Sequence, residues 1–248
     1  MSPSTDTREN REFASEIKFL VSPVVADQIR GWARTRLSPD PYAGGEDGDG
    51  YQITSLYFDT PRFDVFHRRG SFGRSKYRIR RYGQSEVVFL ERKLKTHGLL
   101  TKRRAMVRQK RLEQLSEPET GPAWAGYWFH RRLLARGLTS VCQIAYHRTA
   151  RVAMTDLGPI RLTLDENVRA MPAAGLLFSE AQGELILKDQ IILELKFRYS
   201  MPAQFKYLVE EFALNARPFS KYRQAATALE LVTRPMKDIQ TNPILQYA

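Results

Sequence analysis

Alternation of charged and apolar side chains along predicted strands is the feature that most constrains how this sequence can fold. Successive side chains of a strand point to opposite faces, so the run 76–82 puts Lys76, Arg78 and Arg80 on one side. The same pattern gives a charged face to other predicted strands, with these members: Glu16 and Lys18; Glu91 and Lys93; Lys102 and Arg104; Tyr146 and Arg148; Arg161, Thr163 and Asp165; Glu194 and Lys196.

Eight predicted strands show this alternation. Four helices are predicted from the spacing of apolar residues and from residues that typically begin a helix. The predicted strands are 13–20, 52–58, 76–82, 87–94, 100–107, 141–151, 160–168 and 190–199. The predicted helices run from Pro23 to about Leu37, from Pro122 to about Arg136, around Phe205–Phe212, and from Tyr222 to Val232.

A charged strand face has two interpretations. On a single strand it is usually the side that faces water. Here the opposite faces are strongly apolar, as in Leu193 and Leu195, and the amphipathic helices can cover them. The combination predicts an α+β fold: an antiparallel eight-stranded β-barrel tunnel with a charged lumen, flanked by helices. A lumen lined by Arg and Lys must hold water and a polyanion, because buried like charges repel.

Charge and composition restrict the partner and the cellular setting. The 248 residues include 39 Lys plus Arg and 27 Asp plus Glu, a net charge of +12 that indicates an anionic partner. The single Cys142 excludes an internal disulfide, and the four histidines lack zinc-ligand spacing. We therefore expect a cytoplasmic protein, and no stretch approaches the roughly 18 apolar residues of a membrane span.

The domain boundaries follow from sequence pattern. Residues 1–10 and 234–248 are polar or interrupted by proline, which predicts two flexible tails around one folded domain at 11–233. The stretch 43–50 is rich in Gly and acidic residues. It lacks the ligand series of an EF-hand, so a flexible loop is favoured over a calcium site.

Carboxylates among so many cations suggest a metal. Magnesium or manganese is commonly held by one or two carboxylates plus phosphate oxygens of the substrate. Each acid could instead orient a neighbouring Arg or Lys through an ion pair. For Glu91 and Asp165 both interpretations stay open, whereas Glu194, between two leucines, favours the metal.

Seven pieces of the sequence, in order from about residue 11 to 230, together resemble a known family. They are 16–19, 54–60, 76–83, 89–93, 161–165, 193–196 and 219–223. Their pattern resembles the VTC domain, the catalytic domain of vacuolar transporter chaperone polyphosphate polymerases, within the triphosphate tunnel metalloenzyme (CYTH-like) superfamily.

The resemblance implies a tunnel that binds a triphosphate together with Mn²⁺ or Mg²⁺. The catalytic residues it implies are Arg78, Arg80, Lys93 and Lys221. The substrate-binding residues are Lys18, Lys76, Lys102, Arg104, Arg148, Arg161, Lys196, Ser220 and Tyr222. The carboxylates assigned to the metal are Glu194, Glu16, Glu91 and Asp165.

The implied activity is transfer of the γ-phosphoryl group of ATP to a growing inorganic polyphosphate chain, with release of ADP. Two alternatives remain at this point. One is a triphosphate or polyphosphate hydrolase on the same barrel. The other is a non-enzymatic binder of polyphosphate or nucleic acid, motivated by the net charge. Alternation of cations with carboxylates disfavours nucleic acid as the partner.

Overall fold

Strands form most of the protein, and a few helices cover them. The computed structural model describes residues 6–10, 15–44, 48–96 and 99–232. The strands are β1 (Asp6–Asn10), β2 (Ser15–Val21), β3 (Ser38–Pro39), β4 (Gly50–Asp59), β5 (Ser75–Tyr82), β6 (Val87–Thr96), β7 (Leu99–Arg108), β8 (Thr139–Thr155), β9 (Gly158–Pro172), β10 (Glu184–Leu185) and β11 (Ile191–Phe197). The α-helices are α1 (Pro23–Arg36), α2 (Asp64–His67), α3 (Tyr127–Arg136), α4 (Ala203–Glu211) and α5 (Lys221–Ala228), and 3₁₀ helices span Gly70–Arg74 and Gln109–Leu115.

All the strands belong to one antiparallel sheet, and this confirms the predicted fold class. Its order is β1-β7-β6-β5-β4-β8-β9-β11-β2, with β3 attached to β8 and β10 attached to β9. The eight predicted strands are present, and β1, β3 and β10 are additional. No backbone ladder joins β1 to β2 in the described ranges, so the sheet is not closed by hydrogen bonds as the predicted barrel is.

The extra edge strand β1 corrects part of the predicted N-terminal tail. Asp6–Asn10 pairs with β7, with Asp6 opposite Ala105 and Asn10 opposite Thr101. An edge strand needs only backbone partners, so its polar sequence gave no period-2 signal. The rest of both predicted tails, 1–5 and 234–248, lies outside the described residues.

A side-chain ion pair connects β6 with β2, although no backbone hydrogen bonds close the sheet in the described ranges. The Lys93 ammonium of β6 lies 2.9 Å from a carboxylate oxygen of Glu16 on β2. Five strands separate β6 from β2 in the sheet, so the sheet must wrap around until its charged faces meet. Arg80, Arg148 and Glu194 on those faces are buried, which excludes the solvated outer face.

Helices cover the apolar outer surface in two groups. Ser22 caps α1 by accepting a hydrogen bond from the Val25 amide, and Pro23 takes the first helical position as predicted. Ile29 of α1 and Phe205 of α4 are fully buried, and they belong to the apolar cluster outside β9 and β11. Phe129 of α3 belongs to a second apolar cluster, which lies outside β4 to β8.

Three local predictions differ from the structure. Helix α3 begins at Tyr127 rather than Pro122, because residues 122–126 form turns, and a side chain at position 126 would collide with the Trp124 ring. Helix α5 ends at Ala228, four residues before the predicted end. In the predicted flexible loop 43–50, Asp49 is buried and paired with Arg34 and Arg151, while 45–47 lie outside the described residues.

Asp59 joins three elements at the end of β4. Its carboxylate accepts hydrogen bonds from the amides of Thr60 (2.7 Å), Val65 (2.8 Å) and Phe66 (2.9 Å). It also accepts one from the hydroxyl of Tyr222 on α5. The side chain is fully buried, so these donors have no alternative partner in water.

We expect Asp59→Ala to lower the free energy of unfolding by about 3 kcal/mol, because it leaves several buried donors unpaired. Denaturant unfolding followed by circular dichroism measures the change. Asp156→Ala, at an exposed turn, is the matched control and should shift stability by less than about 0.5 kcal/mol. Equal unfolding midpoints for the two variants would contradict this role of Asp59.

Candidate active site

Strand register places the predicted cations in rows across the lumen. Lys76 on β5 lies opposite Lys93 on β6, which lies opposite Lys102 on β7. In the next row, Arg78 lies opposite Glu91, and Glu91 lies opposite Arg104. Like charges on directly opposed positions destabilise a sheet. The lysine row is therefore a surface that an anion would stabilise.

Glu91 is the acid of the second row, and three cations surround it. Its carboxylate lies 2.6 Å from Arg78, 2.9 Å from Arg104 and 3.6 Å from Lys102. Burial opposes ionisation of this side chain, but the surrounding cations, Arg78 foremost, hold its pKa well below the usual range. Glu91 thus stays ionised and is engaged on both oxygens.

A second acidic centre forms around Glu194 on β11. Its carboxylate lies 3.0 Å from Lys18, 2.8 Å from Lys196 and 3.6 Å from Lys221. Lys18 also lies 2.9 Å from Glu16, so one ammonium joins the two carboxylates. Burial opposes their ionisation, yet the lysines lower the pKa of both, and they remain charged.

Asp165 on β9 links this centre to helix α5. Arg148 binds both of its oxygens, at 2.6 and 2.7 Å, and the Lys221 ammonium lies 2.5 Å away. Lys221 is the first residue of α5, and Ser220 caps that helix by accepting from the Arg223 amide. The cap fixes where the helix begins and so holds the Lys221 ammonium in the lumen.

Arg80 differs from the other lumen arginines because it has no carboxylate partner in the described part of the chain. The residue is 6% exposed. Its guanidinium donates to the Ser55 hydroxyl at 3.3 Å and to the Tyr146 hydroxyl at 3.0 Å. Neutral oxygens hold the group in place without cancelling its charge.

Lys76 is the second cation of this kind. Its ammonium donates to the Ser220 hydroxyl at 3.0 Å, and no described carboxylate pairs with it. Although the residue as a whole is exposed, its charged end lies in a crowded cationic setting. Desolvation, followed by the charges of Lys18 and Lys93, lowers the pKa of Lys76 to about 7.

Tyrosines hold the lumen arginines, and sequence reasoning did not single out most of them as site residues. Besides the Tyr146 contact, Tyr57 accepts from Arg78 at 3.3 Å and Tyr82 accepts from Arg104 at 2.8 Å. Tyr51 accepts from Arg161 at 2.8 Å. A usable signal existed for Tyr82, which shares the period-2 face of Arg78 and Arg80.

Two predicted substrate ligands have other contacts. Arg161 pairs with the buried Asp40 at 2.7 Å, a partner that the sequence did not indicate. Tyr222, predicted to bind substrate, instead donates to Asp59 and stacks on Tyr57 with ring centroids 5.6 Å apart. Neighbouring helical residues point in different directions, and accordingly Lys221 reaches Asp165 while Tyr222 reaches Asp59.

The four carboxylates assigned to a metal do not form one cluster. Among the described residues, no group of three or more His, Cys, Asp or Glu side chains could hold an ion. Glu91 and Asp165 are engaged by arginines, whereas Glu16 and Glu194 are engaged mainly by lysines and share the Lys18 ammonium. Two carboxylates plus phosphate oxygens suit Mg²⁺ or Mn²⁺, so the pair Glu16 and Glu194 fits a metal.

Comparisons with solved structures support the tunnel fold. A candidate adenylate cyclase from Bacillus halodurans aligns with a TM-score of 0.52 at 14% identity, covering 86% of this chain and 96% of its own. A candidate adenylyl cyclase from Hippeastrum, whose structure is described as revealing a dominant triphosphatase activity, aligns with a TM-score of 0.52 at 16% identity. That alignment covers 86% of this chain and 95% of the other.

Within the described residues no helix combines the length and apolar character needed to cross a bilayer.

No curated protein matches the sequence. The family model for the VTC domain matches residues 13–230, nearly the whole described chain. The protein is therefore a member of the VTC domain family.

Proposed function

We propose that this protein is a metal-dependent phosphotransferase that builds inorganic polyphosphate. It transfers the γ-phosphoryl group of ATP to the end of a polyphosphate chain and releases ADP. The observation that carries the proposal is Arg80, a buried guanidinium whose hydrogen-bond acceptors among the described residues are neutral oxygens. Family membership and the tunnel fold of the Hippeastrum triphosphatase support a triphosphate as the substrate.

The balance of charge in the lumen favours a bound polyanion. Eleven of the predicted site residues are Lys or Arg and four are carboxylates, and these carboxylates already have cationic partners. Arg80 and Lys76 remain without such partners among the described residues. Phosphate oxygens bind a guanidinium fork bidentately and an ammonium as a point charge, so a polyphosphate segment would satisfy both.

The chemistry requires alignment more than proton transfer. An oxygen of the terminal phosphate of the polymer attacks the γ-phosphorus of ATP, and the bond to the β–γ bridging oxygen breaks. ADP leaves with that electron pair. The attacking oxygen is ionised at neutral pH, so the tunnel must align two polyanions and neutralise their charge.

The lumen carboxylates also bear on the choice between polymer synthesis and hydrolysis. Hydrolysis benefits from a base that accepts a proton from water. Glu16, Glu91, Asp165 and Glu194 are poor bases, because neighbouring cations lower the pKa of each against the effect of burial. A phosphate nucleophile needs no base, so this arrangement favours the polymerase.

Glu16 and Glu194 would hold the divalent cation. When bound, the metal would supply positive charge that offsets the charge developing during transfer. Incubation of the protein with ATP and Mn²⁺, followed by separation of polyphosphate, ADP and phosphate, tests the proposal. Polyphosphate and ADP are expected, whereas free phosphate without polymer would assign the protein as a triphosphatase.

Arg80→Gln should reduce turnover by about a hundredfold or more, because it removes a positioned cation that stabilises developing charge. The melting temperature should change little, since the substitution relieves repulsion from Arg78 but loses the hydrogen bonds to Ser55 and Tyr146. Arg81→Gln is the matched control on the same strand. Arg81 points away from the lumen and pairs with Glu180, so turnover should persist. Equal losses of activity in the two variants would argue against the tunnel site.

Glu194→Gln should raise the Mn²⁺ concentration that gives half-maximal turnover, because the amide lacks the charge that a hard cation requires. Asp165→Asn provides the comparison, since Asp165 is engaged by Arg148 and Lys221. Its activity is expected to fall without a change in the half-saturating Mn²⁺ concentration. An unchanged value for Glu194→Gln would remove Glu194 from the metal site.

The affinity for tripolyphosphate should fall as pH rises from about 6 to 9. With a pKa of about 7, the Lys76 ammonium loses its proton in this range, as does Lys196, whose pKa burial lowers to about 8, and a neutral amine no longer attracts phosphate. A bound anion raises these pKa values, so binding near pH 8 should take up protons. Calorimetric titration in two buffers of different ionisation enthalpy measures the uptake, which Lys76→Arg should diminish. Identical uptake in this variant would exclude Lys76 as a titrating group.

A further inference from the structure

A second cluster of positive charge lies outside the tunnel. It is formed by the segment around α2 and the first 3₁₀ helix, together with one arginine each from α5 and α3. We call this surface the outer basic patch, and its members are Arg62, Arg68, Arg69, Arg74, Arg136 and Arg223. None of these arginines is among the predicted lumen residues.

Very little acid offsets the patch. Between residues 61 and 76 the only carboxylate is Asp64, which is buried and pairs with Arg69 at 3.1 Å and Arg62 at 3.7 Å. Arg68, Arg74 and Arg223 have no carboxylate partner among the described side chains, and all three are exposed. Such a surface attracts anions through long-range electrostatics.

The patch is continuous with the lumen at Lys76. Ser220 binds the Lys76 ammonium and also caps α5, the helix that carries Arg223. Arg68 lies close enough for its charge to contribute to the lowered pKa of Lys76, after burial and the nearer cations. A chain of phosphates that extends past Lys76 would therefore meet Arg68 and Arg223.

Arrangement of the aromatic rings indicates which polyanion suits the patch. The Arg223 guanidinium lies over the Phe66 ring at 5.2 Å, and the Arg136 guanidinium lies over Phe72 at 4.1 Å. Proteins that hold single-stranded nucleic acid usually offer open aromatic faces on which bases stack. Here arginines occupy those faces, so the patch offers charge without stacking and suits a polyanion that has no bases.

The backbone at Arg68 supports a role for its side chain. Arg68 ends α2 with a φ of 58°, in the left-handed region where helices usually place glycine. A bulky side chain in this conformation carries strain. The guanidinium stands at a position where glycine would be the less strained residue.

We propose that the outer basic patch binds the part of a polyphosphate chain that extends beyond the tunnel. The inference rests on the proposed function, since it assumes that the tunnel takes one end of such a chain. It predicts that affinity rises with chain length beyond the segment that the lumen can hold. The patch would then retain the polymer between successive additions.

The test compares tripolyphosphate with a polyphosphate of several tens of phosphates as probes, using the full chain. The double variant Arg68→Gly with Arg223→Gln should bind the long probe about tenfold more weakly, with a smaller salt dependence. Its affinity for tripolyphosphate should stay unchanged at about pH 6, where Lys76 carries its proton in both proteins, and its melting temperature should not fall, because glycine suits the left-handed backbone at position 68. Arg36→Gln is the matched control, because Arg36 is an exposed arginine stacked on Trp32 of α1, outside the patch.

The outcomes separate this inference from the proposed function. If the unmodified protein binds both probes equally, the patch inference is wrong and the tunnel proposal stands. If tripolyphosphate does not bind at all, the proposed function fails. If tripolyphosphate binds and the double variant weakens both probes equally, the patch inference is overturned. A single-stranded oligonucleotide that binds as tightly as polyphosphate, and is weakened by the same double variant, would reassign the patch to nucleic acid.

Discussion

Repulsion among closely packed cations is the constraint on which the rest of this structure depends. Lys76, Lys93 and Lys102 lie side by side on three strands. Their mutual repulsion must be reduced while the lumen keeps enough positive charge to bind an anion. Glu91, Asp165 and Glu194 provide part of that balance by binding several cations each. Tyrosine hydroxyls accept from several guanidinium groups, and Arg80, held by Tyr146 and Ser55, has no carboxylate partner among the described residues, which preserves its charge for a ligand.

Strand periodicity made the fold and the lumen faces predictable from the sequence. Lys76, Arg78 and Arg80 share a face because a strand repeats every two residues, whatever its neighbours are. The partners of each charge were harder to predict, since they depend on register between strands distant in sequence. Asp40 beside Arg161 and Glu16 beside Lys93 are examples. The contacts of Tyr222 with Asp59 and Tyr57 were likewise not predictable, because they join α5 to the distant strand β4.

The elements that sequence reasoning missed share a physical cause. β1 and β3 are edge additions without apolar periodicity, and α2 is too short to show a helical repeat. What fixes α2 is Asp59, whose carboxylate binds the amides of Val65 and Phe66. Capping of a helix by a single acidic side chain cannot be recognised from the residue composition of the segment. The metal assignment of four carboxylates shows the same limit, because ion pairing and metal binding require the same residue types.

The placement of β2 has a consequence for how the chain is made. β2 pairs with β11, so Val21 finds its partner Ile191 roughly 170 residues later. At about 5–20 residues per second, a ribosome needs on the order of ten to thirty seconds to supply that partner. Throughout this interval the apolar side of β2 has no strand beside it. Assembly of the tunnel is thus a late event of synthesis, and its slow step is a long-range pairing.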